Sequence, residues 1–397
     1  MVQTPVYMDN QATTRVDPRV VEAMLPLFHE QYGNAGSTSH VFGWDAKEAV
    51  DQAREYIALA IGATAREIVF TSGATESNNL AIRGCAERTR RRGNHIISVA
   101  TEHKAILDPL TILERRDFET TLLPVRPSGD AMAGVLDVQR VADAIRDDTL
   151  LVSVMLANNE IGVVQPMAEI GALCKERGVL FHTDATQAVG KIPLDVDQLE
   201  VDLLSFSAHK LYGPKGVGAL YIRRRAPMVR LTSQIDGGGQ EGGRRSGTLN
   251  VPGVVGFATA LKICLDEMER ESTRLADLRD RLFDGLTSSI DNVTLNGPAL
   301  SNRSVRLAGN LSCSFADVDG EALMMSMRDL CVSSGSACTS SNPEPSHVLR
   351  ALGLGDDLTR SSLRFGLGRF NTVDEVDFAI GLLADAVHRL RSMSSLA

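Results

Sequence analysis

The 397 residues are 43% hydrophobic and 23% charged with 34 glycines, enough apolar surface for a large core, which excludes a disordered, collagenous or fibrous chain. At roughly 100–200 residues per domain, the length fits two or three domains. With 41 basic against 50 acidic residues the net charge is −9, so nothing draws the whole chain to nucleic acid or anionic lipid. The longest apolar stretch, Val251 to Leu265, is interrupted by Thr259 and Lys262 and falls short of the ~18 residues a membrane span needs. The opening MVQTPVYMDNQATTR has no basic leader before an apolar run, so the expected location is the cytoplasm. The six cysteines form no CxxC pair, which argues for reduced thiols and against a disulfide framework or a zinc knuckle. No intrinsic metal site is visible.

Taken in chain order, short apolar runs alternate with amphipathic stretches, the pattern of βαβ units in a mainly parallel sheet. Strands are predicted at 67–70, 95–99, 120–124, 150–156, 179–183, 201–206 and 218–222. Helices are predicted at 76–91, 104–115, 137–145 and 166–177, the last closed by Gly178. From Gly253 to Ser289 apolar residues at helical spacing face opposed charges, which predicts one long helix leading out of this large domain. The segments 310–315, 320–329, 346–351, 362–365 and 373–390 then alternate as a smaller α+β domain. The expected division is a large domain over 16–264 and a small one from 1–15 with 265–397. The basic runs 88–92 and 223–225 lack interleaved aromatics and read as solvated turns.

Three segments point to one chemistry. In SFSAHKLYGPKG, Lys210 follows a predicted strand, at the carboxyl edge where parallel sheets bind ligands. Desolvation there lowers an ammonium pKa and makes the amine a nucleophile for Schiff-base chemistry, although a lysine after a strand is more often a surface charge. In FHTDATQ, Asp184 ends the preceding strand; it can hold a pyridine nitrogen protonated or simply cap a helix. In TSGATESNN, a strand gives way to a helix at Ala74 and Thr75, where backbone N–H groups and a hydroxyl suit a phosphate as well as they suit a plain cap. Together the three describe a site for pyridoxal 5′-phosphate.

A fourth segment, SSGSACTSSNP, sets Cys338 in a loop of small polar residues, about 332–343, where a thiol is accessible. Most loop cysteines are incidental, but beside a pyridoxal site this one is a candidate second nucleophile. The other five, such as Cys174 in IGALCKERG and Cys313 in NLSCSF, sit in apolar-periodic surroundings that predict buried, inert thiols.

With these residues in place, the chain resembles the group I cysteine desulfurases of the IscS/NifS type, within the fold-type I pyridoxal-phosphate enzymes. The resemblance covers nearly the whole chain, through YMDNQATTR, TSGATESNNLAI, TEHKAIL, NNEIGVVQP, HTDATQAVGK, SFSAHKLYGPKGVGALY, GGGQEGGRRSGT, SSGSACTSSNPEPSHVLRALG and SLRFGLGRF. It implies an α/β fold in which a mainly parallel seven-stranded sheet lies between helices. It also implies that Lys210 bonds the cofactor's aldehyde and Asp184 pairs with its pyridine nitrogen. Gln187 and Asn159 are then expected at the phenolic oxygen and His103 on the ring face. For the phosphate the implied ligands are Ala74, Thr75, Ser207 and His209, with Thr248 reaching across a homodimer. Arg364 is the implied clamp for the substrate carboxylate, assisted by Asn34, whose segment reads Ala-Gly where the family commonly has Pro followed by a small residue.

The implied reaction converts L-cysteine to L-alanine and a Cys338 persulfide, with Lys210 as base and then acid and His103 handling protons. The sulfur then passes to an acceptor protein, an iron–sulfur scaffold of the IscU type or a tRNA-thiolation relay. Two departures are visible: the chain stops at Ala397 without the tail that helps many relatives dock the scaffold, and PSGDAMAGV lengthens one surface connection. The competing expectations are a selenocysteine lyase or aminotransferase, which leaves Cys338 idle, and a non-catalytic carrier. The joint presence of Lys210, Asp184, His103 and Cys338 disfavours the last.

Overall fold

The computed structural model describes residues 2–225, 228–334 and 345–394. Its strands are β1 (Val6–Tyr7), β2 (Ile68–Thr71), β3 (His95–Val99), β4 (Glu119–Leu123), β5 (Thr149–Ser153), β6 (Leu180–Asp184), β7 (Leu203–Ser207), β8 (Gly218–Ile222), β9 (Val293–Leu295), β10 (Asn310–Phe315), β11 (Leu330–Cys331), β12 (Ser333–Ser334) and β13 (Ser362–Gly366). Its helices are α1 (Pro18–Met24), α2 (Pro26–His29), α3 (Val41–Leu59), α4 (Ala74–Thr89), α5 (Lys104–Glu114), α6 (Val138–Ala144), α7 (Met167–Arg177), α8 (Val251–Ser289), α9 (Gly320–Ser326), α10 (His347–Ala351), α11 (Asp356–Arg360) and α12 (Val373–Ser394).

The seven strands predicted for the large domain form one sheet, in the order β2-β8-β7-β6-β5-β3-β4. From β7 to β4 all pairs are parallel, while β8 runs antiparallel to both β7 and β2. Strand β2 therefore points the same way as β7, and its carboxyl end lies on the same edge. Strands β3, β5, β7 and β8 are buried along their whole length, as expected of a sheet covered by helices on both faces.

Helix α3 has no counterpart among the predicted elements. It buries Ala46, Val50, Ala53 and Ile57 at helical spacing, and the His40 ring caps it by accepting from the Gly43 N–H at 3.2 Å. Two of those four residues are alanines, so the apolar stripe is thin in sequence terms although the packing is complete. Helix α8 begins where the Asn250 side chain accepts from the Gly253 N–H at 3.0 Å and runs for 39 residues. Its first part packs Val254, Phe257 and Leu261 into the core around the sheet. Its second part packs Leu278, Leu282 and Leu286 into another core, with β10, β13 and α12.

That second core lies against an antiparallel sheet ordered β12-β13-β10-β9. The amino-terminal segment ties the two bodies together. Val6 and Met8 belong to the second core, the Asn10 N–H donates to the Gly366 carbonyl at 3.1 Å, and the Thr14 N–H donates to the His209 carbonyl at 3.0 Å. Residues 9–14 thus cross the carboxyl edge of the central sheet. Among the described residues no helix is long and apolar enough to cross a membrane.

Candidate active site

A cavity of about 640 Å3 opens where the parallel strands end. Ten residues singled out from the sequence line it: Ala74 and Thr75 after β2, His103 after β3, Asn159 after β5, Asp184 at the end of β6 and Gln187 after it, Ser207 at the end of β7 with His209 and Lys210 after it, and Arg364 from the second sheet.

Strand β7 ends at Ser207, and one turn of 3-10 helix carries Lys210 over the edge. Its Nζ donates to the carbonyls of Gln11 and Ala12, both at 2.6 Å. Burial pushes the ammonium down to about 7, helped by repulsion from Lys191 and Arg364 and opposed by Asp9 and Asp184. At neutral pH roughly half of such a group is free amine. Burial, reinforced by Lys210, Lys215 and Lys191, also takes His209 down to about 4, so its ring is neutral; Nδ1 lies 3.1 Å from Thr13 Oγ1.

Asp184 ends β6 and is almost fully buried. Asn78 Nδ2 donates to one of its oxygens at 2.7 Å and the Thr186 N–H to the other at 2.9 Å, so the carboxylate is held fixed. Asn78 lies on α4, whose cap position, Gly73, has no side-chain hydrogen bond. The first turn of α4 therefore presents its backbone donors to the cavity beside Ser207 and His209. Gly218 permits this approach: a Cβ there would stand 2.7 Å from Gly73 Cα.

His103 caps α5, with Nδ1 accepting from the Ala105 N–H at 3.0 Å. The neutral ring consequently carries its proton on Nε2, and burial lowers its pKa, favouring that neutral form. Beside it, Glu102 is fully buried; its carboxyl accepts from the Met155 N–H at 2.6 Å and is pushed by burial well above the usual carboxylate range. Arg364 Nη2 donates to Asp9 at 2.7 Å and to Ser333 Oγ at 2.8 Å, and Nη1 donates to the Asn159 carbonyl at 3.2 Å.

Two expected residues are not brought to this cavity within the chain. Asn34 is exposed and its Oδ1 accepts from the Gly36 N–H at 2.8 Å, closing a local turn, so its expected help to Arg364 is not seen. Thr248 is exposed as well. Cys338 lies outside the described residues. Of the other cysteines, Cys85, Cys174, Cys264 and Cys313 are buried, and burial raises their thiols to about 12, 12, 11 and 12. Cys331 departs from the expectation, being only partly buried. Asp9, Asn78 and Glu102 were not singled out as site residues, although each stands inside a quoted motif.

The donor set fits pyridoxal phosphate. The uncapped start of α4 with Thr75, Ser207 and His209 suits a phosphate dianion, the fixed Asp184 suits a protonated pyridine nitrogen, and Lys210, about half free amine at neutral pH, suits an aldehyde.

Comparison with known proteins agrees. The chain matches the aminotransferase class-V family over residues 6–378. It is 57% identical over 395 residues to the cysteine desulfurase IscS of Anaeromyxobacter dehalogenans (strain 2CP-C), covering 100% of this chain and 95% of that protein. The solved structure of a NifS-like protein superposes with a TM-score of 0.88 at 38% identity, over 97% of this chain and 100% of the other. That of SspA in complex with cysteine gives 0.79 at 36%, over 92% and 99%. The chain belongs to the class-V aminotransferase family and, within it, to the cysteine desulfurases of the IscS/NifS type, whose cofactor is pyridoxal phosphate.

Proposed function

We propose that the chain takes sulfur from L-cysteine, leaving L-alanine and a persulfide on Cys338. The observation that carries this reading is an amine lowered to about 7, Lys210, sharing one cavity with Asp184, the open start of α4 and Arg364. When bound, pyridoxal phosphate joins amines through its aldehyde and takes up the electron pair left when the Cα proton departs. Ala74, Thr75, Ser207 and His209 hold its phosphate, with Thr248 supplied by the second subunit of a homodimer, and Gln187 and Asn159 meet its phenolic oxygen.

Lys210 Nζ removes the Cα proton of cysteine, which it can do because much of it is unprotonated at neutral pH. Arg364 orients the substrate by its carboxylate through a planar fork of N–H donors. With His103 Nδ1 occupied by Ala105, Nε2 is the atom that moves a proton to or from sulfur. The Cys338 thiolate attacks the substrate sulfur: an S–S bond forms, the C–S bond breaks with its electron pair going to carbon, and that carbon is protonated. A thiol and L-cysteine thus become a persulfide and L-alanine with no external oxidant.

The division at 16–264 and 1–15 with 265–397, a cytoplasmic location and delivery of the sulfur to an iron–sulfur scaffold or a tRNA-thiolation relay complete the proposal. Incubating the cofactor-loaded protein with L-cysteine and a thiol reductant tests it. Alanine and sulfide appear in equal amounts; consumption of cysteine without alanine contradicts the reading.

A further inference from the structure

Lys191 stands one turn beyond Gln187 and does not line the 640 Å3 cavity. Its Nζ donates to Gln187 Oε1 at 2.9 Å, and Gln187 Nε2 donates to the Gln11 carbonyl at 2.9 Å. An ammonium cannot accept and a carbonyl cannot donate, so the two contacts leave one orientation for this amide. Its oxygen turns to Lys191, and its nitrogen stays on the side of Gln11 and the cavity. The same Gln11 carbonyl accepts from Lys210 Nζ at 2.6 Å, which makes a continuous path from Lys191 to the reactive amine.

Lys191 lines a separate cavity of about 60 Å3, shared with Gln11, Cys264, Tyr212, Glu271 and Arg369. Burial takes its ammonium down to about 8, so it is charged at pH 7. After burial itself, Lys191 is the largest influence lowering Lys210; Arg364 acts in the same sense, and Asp9 and Asp184 oppose it. It contributes to the lowering of His209 too.

We propose that Lys191 is a positioning residue for the cofactor site, fixing which end of the Gln187 amide the cavity meets and holding a second positive charge behind Lys210. This rests on the reading of the cavity as a pyridoxal phosphate site.

Three variants test it. Lys191→Met removes charge and donor, Lys191→Gln keeps a donor without charge, and Lys191→Arg keeps both. In the full chain freed of cofactor, labelling by an amine-reactive reagent, read by mass spectrometry across pH, gives the titration midpoint of Lys210. That midpoint moves upward by about half a pH unit or more in Lys191→Met and Lys191→Gln, leaving about twofold less free amine at about pH 7, and stays in place in Lys191→Arg. In the loaded enzyme the absorption band of the cofactor changes wavelength in Lys191→Met and is retained in Lys191→Gln and Lys191→Arg. Lower thermal stability with an unmoved midpoint and an unmoved band overturns the proposal. Absence of any cofactor band in the unsubstituted protein contradicts the cavity reading instead, while the labelling midpoint still decides the charge role of Lys191.

Discussion

As the proposed base and nucleophile, Lys210 can act only where its amine is free, and that range is set by its surroundings. Uptake of pyridoxal phosphate by the cofactor-free chain rises with pH through about 7 and levels off above it, since proton loss creates the reacting species. Stopped-flow absorbance reads this directly; a midpoint near the ordinary lysine value of about 10.4 contradicts the site as described. Arg364 makes three hydrogen bonds from a nearly buried guanidinium. Arg364→Lys keeps the charge and loses the fork, so KM for L-cysteine rises by about tenfold or more, at about 1.5 kcal/mol upward for a charge-assisted bond, in steady-state assays. At this scale the sequence was informative where a residue sits in a local motif: Lys210, Asp184 and Thr75 each follow a strand at a recognisable turn. The contact of Asp9 was hidden because its partner Arg364 is 355 positions away, and the proposed role of Lys191 because it runs through Gln187.

Elements show the same division. The parallel strands were legible because burial on both faces demands short continuous apolar runs, and α7 because Gly178 ends it at φ 66° with its N–H bonded back to the last turn. A Cβ at Gly178 meets nothing within 4 Å, so Gly178→Ala isolates backbone strain. The expected loss is about 1 kcal/mol in urea unfolding with activity unchanged. Helix α3 was missed because alanines on its buried face give a weak period. The pairing of β8 with β2 and of β1 with β11 depends on partners far along the chain, which no local pattern records.

Across the whole molecule, α8 belongs to both cores, and the cavity takes its floor from one sheet and Arg364 from the other. Val21, Leu25, Phe28, Tyr32, Val41, Phe42 and Trp44 leave large apolar side chains exposed within a short stretch of the single chain. A second copy covering this face, as in the proposed homodimer, would account for them and would suit the proposed contribution of Thr248. Trp44 is the only tryptophan and is 56% exposed. The proposed homodimer predicts emission to the blue of a solvated indole that moves to the red as dilution separates the subunits; a monomer mass in sedimentation with red emission at all concentrations contradicts it.

In the proposed reaction sulfur leaves L-cysteine for Cys338. Mass spectrometry of the loaded protein after L-cysteine, alongside alanine release, compares the unsubstituted chain with Cys338→Ala. The expected result is a gain of about 32 Da on the Cys338 peptide, the mass of one sulfur atom, with alanine formed, and both lost in Cys338→Ala. Equal alanine from Cys338→Ala would contradict it and move the chemistry to a lyase that needs no cysteine of its own.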